Sequence, residues 1–292
     1  MADVRENILR TGLLTAAAMI AFAANSLLCR MALGRELIDA ASFTSIRITA
    51  GAVTLLLILL IRGHRSKLAP DWPGVAALFC YMVCFSFAYL SLTAGTGALL
   101  LFGAVQLTMF IFAIRGGERF TPVAWAGLCA AFTGLVYLVA PGVTAPDPTG
   151  AVLMVTAGIA WGAYSLIGRS AGRPLLATSA NFLYSVPPAI VLSLLFIGSA
   201  DVSMNGVLLA VASGALASGL GYAIWYAALP GLTAGRAATV QLSVPVIAAI
   251  GGVLLLSEQV TLRLVVASSL TIGGIWLVLR SRNAKPAAPP TD

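Results

Sequence analysis

Ten stretches of about twenty mostly apolar residues, separated by short polar or glycine- and proline-containing breaks, run through the 292-residue sequence. As a helix, a stretch of this length crosses a hydrocarbon core of about 30 Å. Only helices and closed barrels satisfy their backbone hydrogen bonds in lipid, and barrel strands alternate apolar and polar residues, which these stretches do not. The sequence therefore predicts an all-α polytopic membrane protein. Its ten transmembrane helices are predicted over residues 11–33, 40–61, 73–93, 96–114, 122–140, 150–168, 176–198, 206–228, 233–256 and 262–279.

The composition indicates that lipid, rather than water, surrounds most of the folded chain. Hydrophobic residues make up 60% of the sequence and charged residues 9%, whereas soluble domains carry about 25% charged residues. The net charge of +7 would suit nucleic acid, but the basic residues lie in the breaks between apolar stretches instead of on one face. We therefore expect membrane lipid, and no nucleic acid, among the partners.

The basic residues also predict how the chain is oriented. With the N-terminus inside, thirteen of the 17 Lys and Arg residues fall on the inner side, three (Arg30, Arg35 and Arg263) fall outside, and Arg47 lies within a span. Because Lys and Arg concentrate in cytoplasmic loops, both termini are predicted to be cytoplasmic, as ten crossings require. We expect a multi-pass protein of the bacterial inner membrane, with residues 284–292 as a disordered cytoplasmic tail.

The two halves of the sequence resemble each other at an offset of 139 or 140 residues. The matching segments are 20–30 with 159–169, 92–95 with 232–235, and Glu118 to Gly134 with Glu258 to Gly274. Each copy contains five predicted helices, and an odd number of crossings inverts the second copy relative to the first. The predicted domains are therefore a five-helix repeat over 1–145 and an inverted one over 146–283. Two inverted halves around a central site suit alternating access.

Aromatic and neutral polar residues within the spans are candidates for contact with a small molecule. Spans 3 and 8 carry aromatic stripes, the second made of Tyr222, Trp225 and Tyr226. Either stripe could line an apolar cavity, and the alternatives are ordinary helix packing or a belt at the lipid headgroups. The neutral polar residues need partners in lipid, so they either contact the substrate or bond neighbouring helices. The predicted substrate-binding residues are Asn25, Arg47, Tyr81, Phe85, Tyr89, Gln106, Trp161, Tyr164, Asn181, Gln241 and Ser243.

Arg47 is the one charge well inside a predicted span, so its guanidinium must face protein or water. It could hold a substrate carboxylate in a fork, or it could bond helix-end carbonyls or Asp39 and stabilise the outer half. We favour the structural role. Pro187 and Pro245 are predicted hinges, because proline removes a backbone hydrogen bond from a helix.

The aromatic-small-x-x-Ser stretch that ends in arginine in spans 1 and 6, Arg47, and the turns at Glu118 and Glu258 resemble the drug/metabolite transporter superfamily, specifically its EamA-type tandem-repeat members. Within it, the chain looks most like the YddG-type bacterial exporters of aromatic amino acids. The resemblance implies a central cavity lined by spans 1–4 and 6–9, with spans 5 and 10 peripheral. It also implies a secondary transporter that exports small amphipathic metabolites, above all amino acids including aromatic ones, methionine and threonine. A sugar-nucleotide carrier is the alternative, but it would need cationic residues at mid-membrane, where only Arg47 qualifies.

The distribution of titratable residues limits the mechanism. The ten carboxylates lie in tails or at span ends, and the only histidine, His64, lies in a basic loop. Proton relays in membranes use buried Asp, Glu or His, so we expect facilitated transport, with coupling through Glu118 or Glu258 as the alternative. An intramembrane enzyme needs a Ser–His pair or metal ligands inside the bundle. We therefore predict no enzyme activity, no metal and no cofactor. We expect a monomer. A receptor or scaffold that transports nothing is a further alternative, but it would not explain the inverted repeat.

Overall fold

The computed structural model describes residues 2–63, 67–117, 120–168, 172–232 and 234–282. Regular structure within these ranges is helical, apart from one isolated antiparallel bridge between Ile38 and Val202. The helices are α1 (Ala2–Leu33), α2 (Ala40–Ile61), α3 (Trp72–Ala88), α4 (Ala94–Arg115), α5 (Pro122–Val139), α6 (Pro148–Gly168), α7 (Pro174–Leu195), α8 (Met204–Ala212), α9 (Gly221–Ala228), α10 (Ala234–Gln241), α11 (Ser243–Leu256) and α12 (Leu262–Arg282).

The membrane class predicted from the sequence is confirmed. Nine helical segments of the described ranges are long and apolar enough to cross a membrane, with α8–α9 and α10–α11 each counted as one. α3, with 17 residues, is a shorter apolar helix.

Polar side chains fix the start of several helices. The side-chain oxygens of Asp39, Thr93 and Thr121 each accept the backbone N–H three residues further on, at the beginning of α2, α4 and α5. Each such bond satisfies one of the N–H groups that a helix leaves free at its first turn. The predicted start of the fifth helix at Pro122, directly after Thr121, is confirmed.

The end of α3 differs from the sequence prediction, which continued this helix through residue 93. α3 ends at Ala88, and residues 89–93 form the turn into α4. The Arg30 guanidinium donates to the carbonyls of Tyr89 and Leu90, each at 3.1 Å. These carbonyls are therefore satisfied without a further helical turn. Apolar character does not reveal that a distant side chain takes over this role.

The eighth predicted span, 206–228, is not one regular helix. α8 passes into a π-helical segment, Ser213–Leu220, which continues into α9. Gly214 in this π segment lies directly against the backbone carbonyl of Arg47 in α2, where a side chain would not fit. π-helical turns are rare and occur frequently at functional sites.

The ninth predicted span, 233–256, is divided at Leu242 into α10 and α11. Pro245 has no N–H for the Gln241 carbonyl, which removes one helical hydrogen bond at this break. α7, in contrast, continues through Pro187 and Pro188. The two predicted hinges thus lie in different surroundings, one beside a break and one within a continuous helix.

α5 and α12 form a closely packed pair whose other main contacts are with α4 and α10. Gly127 faces the carbonyl of Gly274, and Gly134 faces the carbonyl of Ala267, so the two helices run antiparallel. The contacts are reciprocal at the offset of the sequence repeat, since 127 corresponds to 267 and 134 to 274. Small residues let the two backbones approach, as is typical of helix pairs in membranes.

Candidate functional site

A cavity of about 700 Å³ lies between α1, α3, α4, α6, α7, the π segment, α9 and α10. Neither α2 nor α5 contributes a lining residue in the described part of the chain, and α12 contributes Leu279. The expectation that span 2 lines the cavity is therefore corrected, because the π segment and α3 separate α2 from it. Eight of the predicted substrate-binding residues line the cavity: Asn25, Tyr81, Phe85, Gln106, Trp161, Tyr164, Asn181 and Gln241.

Trp161 is the centre of an aromatic wall. Its ring centroid lies 4.8 Å from that of Tyr81, 5.4 Å from that of Tyr164 and 5.4 Å from that of Tyr222, on which it stacks at 26°. Phe22 packs against Tyr222 with centroids 5.7 Å apart. Rings in this arrangement offer flat faces to an apolar or aromatic group of a ligand.

The hydroxyl of Tyr81 is part of a hydrogen-bonded chain that connects four helical segments, α1, α2, α3 and the π segment. It accepts from Arg47 Nη2 at 3.2 Å and from Asn25 Nδ2 at 3.4 Å. The Ser213 hydroxyl donates to Asn25 Oδ1 at 2.6 Å. Sequence reasoning missed Ser213, because it is 188 positions from Asn25 and only the fold brings the two together.

A second polar group lies on α6, α7 and α9. The Tyr164 hydroxyl donates to Thr178 Oγ1 at 3.1 Å, and Thr178 Oγ1 is 2.8 Å from the Tyr226 hydroxyl. Among the described atoms, Asn181 Oδ1 and Ser218 Oγ are buried without a hydrogen-bond partner. Sequence reasoning missed Thr178, although it lies three positions before Asn181 on the same face of α7.

Arg47 lies behind the cavity wall rather than in it. It is completely buried, and its guanidinium carbon lies 4.7 Å from the ring centroid of Phe85 and 5.6 Å from that of Tyr81. The sequence analysis placed this guanidinium against Asp39 or helix-end carbonyls. Asp39 instead caps α2 and accepts the N–H of Asp201 at 3.3 Å, so its oxygens are occupied at the end of the bundle.

Two other predicted residues also lie outside the cavity lining. Tyr89 is buried in the turn after α3, where its hydroxyl donates to the Ala94 carbonyl at 3.4 Å. Ser243 lines a separate groove between α1 and α10–α11, and its hydroxyl donates to the Val240 carbonyl at 2.6 Å. Sequence spacing placed both on suitable helices but did not reveal which way the turn after α3 and the break at Leu242 direct them.

The cavity reaches one end of the bundle, which we call the open end. Its lining includes Asp71 and Pro174, next to the starts of α3 and α7, and Gly116 and Gly168, at the ends of α4 and α6. Asp71 is the one charged residue that the described chain contributes to the lining. No described residue of the opposite end lines the cavity, so access is from the open end.

The opposite end, called here the sealed end, is held by polar contacts between distant parts of the chain. Arg30 Nε lies 3.3 Å from Glu258 Oε1, and the Glu258 carboxylate accepts the Ala94 N–H at 2.9 and 3.1 Å. Burial raises the pKa of the Glu258 carboxyl, and the Ala94 N–H and Arg30 offset this only in part. The bridge between Ile38 and Val202 closes the same end.

Three features of the sequence analysis fall outside the described residues. They are His64, Glu118 and the tail 284–292. Coupling through Glu118 therefore remains a prediction.

Comparisons with known proteins agree with this architecture. Both halves of the chain match the EamA-like transporter family, over residues 9–140 and 148–280. An uncharacterized protein of Pseudomonas aeruginosa is 50% identical over 279 residues, which are 95% of this chain and 97% of that protein. An uncharacterized transporter of Archaeoglobus fulgidus is 31% identical over 79% of this chain and 86% of its own length. A probable terminal-alkyne amino-acid exporter of Streptantibioticus cattleyicolor is 26% identical over 80% and 82%, respectively.

A solved crystal structure has the same fold, with a TM-score of 0.67 and 21% sequence identity over 94% of this chain and 99% of that chain. The family segments together extend over nearly all of the helices described above. The chain belongs to the EamA-like transporter family.

Proposed function

We propose that this protein is a secondary transporter that works by alternating access and exports small amphipathic metabolites, mainly amino acids, across the bacterial inner membrane. The observation that carries the proposal is an aromatic cavity that reaches one end of the bundle and is closed at the other. Its volume of about 700 Å³ lies within the range of about 300–1,000 Å³ that is usual for small-molecule sites.

Alternating access would rest on ten transmembrane helices arranged as two inverted five-helix repeats, 1–145 and 146–283. Two observations support this arrangement. The family matches the chain twice, once in each half, and the reciprocal contacts of the antiparallel pair α5 and α12 are those expected from a two-fold axis in the membrane plane. Related halves of opposite orientation can exchange conformations, which moves the opening from one end to the other.

The orientation follows from the basic residues. Arg62, Lys67, Arg115 and Arg173 lie at the open end, and Lys and Arg are concentrated on the cytoplasmic side of membrane proteins. The open end and both termini would then face the cytoplasm, with residues 284–292 as a cytoplasmic tail. A monomer with a cavity open to the cytoplasm is ready to load a substrate for export.

The chemistry of the cavity favours amino acids over sugar nucleotides. Its wall combines stacked rings with hydroxyl and amide groups, and no Lys or Arg of the described chain lines it. A diphosphate would need cationic partners, whereas an aromatic amino acid, methionine or threonine needs apolar contact and a few hydrogen bonds. The relative named as a probable terminal-alkyne amino-acid exporter also supports this class.

The proposal is tested by flux into liposomes that contain the purified protein, with labelled tryptophan, methionine and threonine compared with a nucleotide sugar. We expect flux of the amino acids and none of the nucleotide sugar. Trp161→Ala removes the central ring of the wall and should lower tryptophan flux about tenfold. Trp125→Ala, which changes a half-exposed tryptophan of α5 outside the cavity, is the matched control and should keep it.

Two results would contradict the proposal. The first is the absence of flux of any amino acid through the wild-type protein. The second is equal flux of the nucleotide sugar and tryptophan, which would mean that the cavity does not select by the chemistry of its wall.

A further inference from the structure

The hydroxyl of Tyr81 has its proton free for a ligand. A phenol oxygen accepts one or two hydrogen bonds and donates one. Here the oxygen accepts from Arg47 Nη2 and Asn25 Nδ2, and both partners are donors at the contacting nitrogen. The O–H of Tyr81 therefore cannot point to either of them, and Tyr81 lines the cavity. Its proton is available to an acceptor there.

Asn25 has the orientation that this arrangement requires. Its amide oxygen accepts from the Ser213 hydroxyl at 2.6 Å, and its NH2 group is directed towards Tyr81. Ser213 is the first residue of the π segment. Ser213 thus donates to Asn25, and Asn25 donates to Tyr81, with each residue on a separate helical segment. The last donor of this chain is the Tyr81 hydroxyl at the cavity.

Arg47 supplies a positive charge behind this donor. The residue is completely buried, and its Nε and Nη1 atoms have no hydrogen-bond partner among the described atoms. Arg47 forms no ion pair with any carboxylate whose side chain the structure describes. A buried cation without an anion is costly, and the faces of Phe85 and Tyr81 compensate it only in part.

The wall also explains why Arg47 does not touch a ligand itself. Tyr81 and Phe85 line the cavity and Arg47 does not, so the two rings separate the guanidinium from any molecule inside. An anion bound at the Tyr81 hydroxyl would approach the guanidinium and receive the phenol proton in a charge-assisted hydrogen bond. The adjacent ring of Trp161, 4.8 Å from that of Tyr81, would contact an apolar side chain on the same ligand.

Building on the proposed function, we propose that Tyr81 binds the substrate carboxylate and that Arg47 is a positioning residue that acts through Tyr81. This differs from a direct fork between Arg47 and the carboxylate. It assigns recognition of the acid group to a neutral side chain whose donor direction is set by Asn25 and Arg47.

The experiment compares the binding of tryptophan with that of tryptophanamide, which keeps the indole and the amine but lacks the carboxylate. Both ligands are measured on one purified preparation of each variant, by their displacement of labelled tryptophan. The readout is the affinity for tryptophan divided by the affinity for tryptophanamide. A ratio does not depend on the fraction of protein that is folded. Tyr81→Phe keeps the ring, removes the hydroxyl and should lower the ratio about tenfold, as expected for one charge-assisted hydrogen bond.

Variants at two further positions separate a direct from an indirect role. Tyr137→Phe makes the same chemical change on an exposed tyrosine of α5 outside the cavity lining and should leave the ratio unchanged. Arg47→Gln should lower the ratio, and Arg47→Lys, which keeps the positive charge, should give a ratio between those of Arg47→Gln and the wild type. Added to Tyr81→Phe, Arg47→Gln should cause no further loss, because residues that act through one contact are not additive.

The outcomes are distinct. An unchanged ratio in Tyr81→Phe, or losses that multiply in the double variant, would overturn the inference while tryptophan binding still supports the proposed function. If the wild type binds neither ligand, the inference fails, whereas the proposed function fails only if the flux assay detects no amino acid either.

Discussion

The two ends of the helix bundle are held together in different ways. At the sealed end, groups from both halves of the chain meet, since Arg30 pairs with Glu258 and Ile38 bridges to Val202. At the open end, the starts of α3 and α7 border the cavity, with the Asp71 carboxylate in its lining. The sealed end thus has an ion pair and a backbone bridge between the halves, whereas at the open end the Tyr184 hydroxyl donates to the Leu68 carbonyl at 3.3 Å. Substitutions at the sealed end should change access without altering the cavity.

The packing of the helices shows the same contrast. α2 packs extensively along α8 and the π segment, whereas α3 and α7, at the matching places of the sequence repeat, contact each other less. The cavity lies beside α3 and α7 and does not reach α2. α2 therefore packs closely against α8 and the π segment, whereas the matching helices α7 and α3 are separated beside the cavity. Alternating access requires such an asymmetry between the two halves.

The largest expected effect is the difference in thiol reactivity between the two ends. Single cysteines are introduced at Ala177, which lines the cavity, and at Leu92, which is 1% exposed at the sealed end. In detergent, where a thiol reagent reaches both ends, Ala177→Cys should react about 100-fold faster, because Leu92→Cys reacts only after local opening. The native Cys29, Cys80, Cys84 and Cys129 are replaced beforehand. Equal rates would show that the ends do not differ in solution.

A smaller effect is expected when the contacts of Glu258 are removed. Glu258→Ala takes away the partner of Arg30 and of the Ala94 N–H. The two ion-paired side chains are 22% and 12% exposed, so the loss should be about 2 kcal/mol, between the values for surface and buried pairs. The reaction rate of Leu92→Cys should then rise about thirtyfold.

Glu36→Ala is the matched control for Glu258→Ala. Glu36 lies at the same end, where its side chain is exposed and forms no hydrogen bond or ion pair with the described residues. Its replacement should change the rate of Leu92→Cys by no more than about twofold. A similar rise in both variants would mean that any lost carboxylate loosens this end.

The bridge between Ile38 and Val202 should contribute less to the sealed end than Glu258 does. A methyl group added at Gly206 would meet the Leu37 carbonyl and Ile38. Gly206→Ala should therefore push the start of α8 away from Leu37 and Ile38 at a cost of about 1 kcal/mol and raise the rate of Leu92→Cys about fivefold. Gly198→Ala, where a methyl group meets nothing within 4 Å, should leave the rate unchanged. No effect of Gly206→Ala would assign the closure to Arg30 and Glu258 alone.

The contrast between the ends also marks what the sequence can predict. Apolar length predicted the helices, and the pair Thr121–Pro122 predicted a helix start, because both depend on local chemistry. Trp161 and Gln241 were predicted as site residues because aromatic and amide groups within apolar spans face the interior. The turn after α3 and the π segment were not predicted, since each depends on a contact with a distant helix.

Dependence on distant contacts also explains why the sequence analysis assigned the wrong partner to Arg47. Sequence distance suggested Asp39, but Asp39 caps its own helix, and the guanidinium instead contacts Tyr81 on another helix. The sealed end likewise depends on Arg30 and Glu258, which are 228 positions apart. Local patterns do not determine which of several suitable partners the fold brings close.

The smallest expected effect on the sealed end comes from pH. Burial raises the pKa of Glu258 in the sealed form, so this form binds the proton more tightly than an opened form in which the carboxyl is hydrated. The sealed form should therefore gain stability as the pH falls through the raised pKa towards the ordinary range of a glutamate, and lose this gain as the pH rises again. We measure the rate of Leu92→Cys relative to that of Ala177→Cys, which corrects for the thiol chemistry, and this relative rate should fall as the pH is lowered from neutral into the acidic range. Glu258→Gln should abolish the dependence, whereas faster relative labelling in acid would show that the ion pair with Arg30 outweighs the burial of the carboxyl.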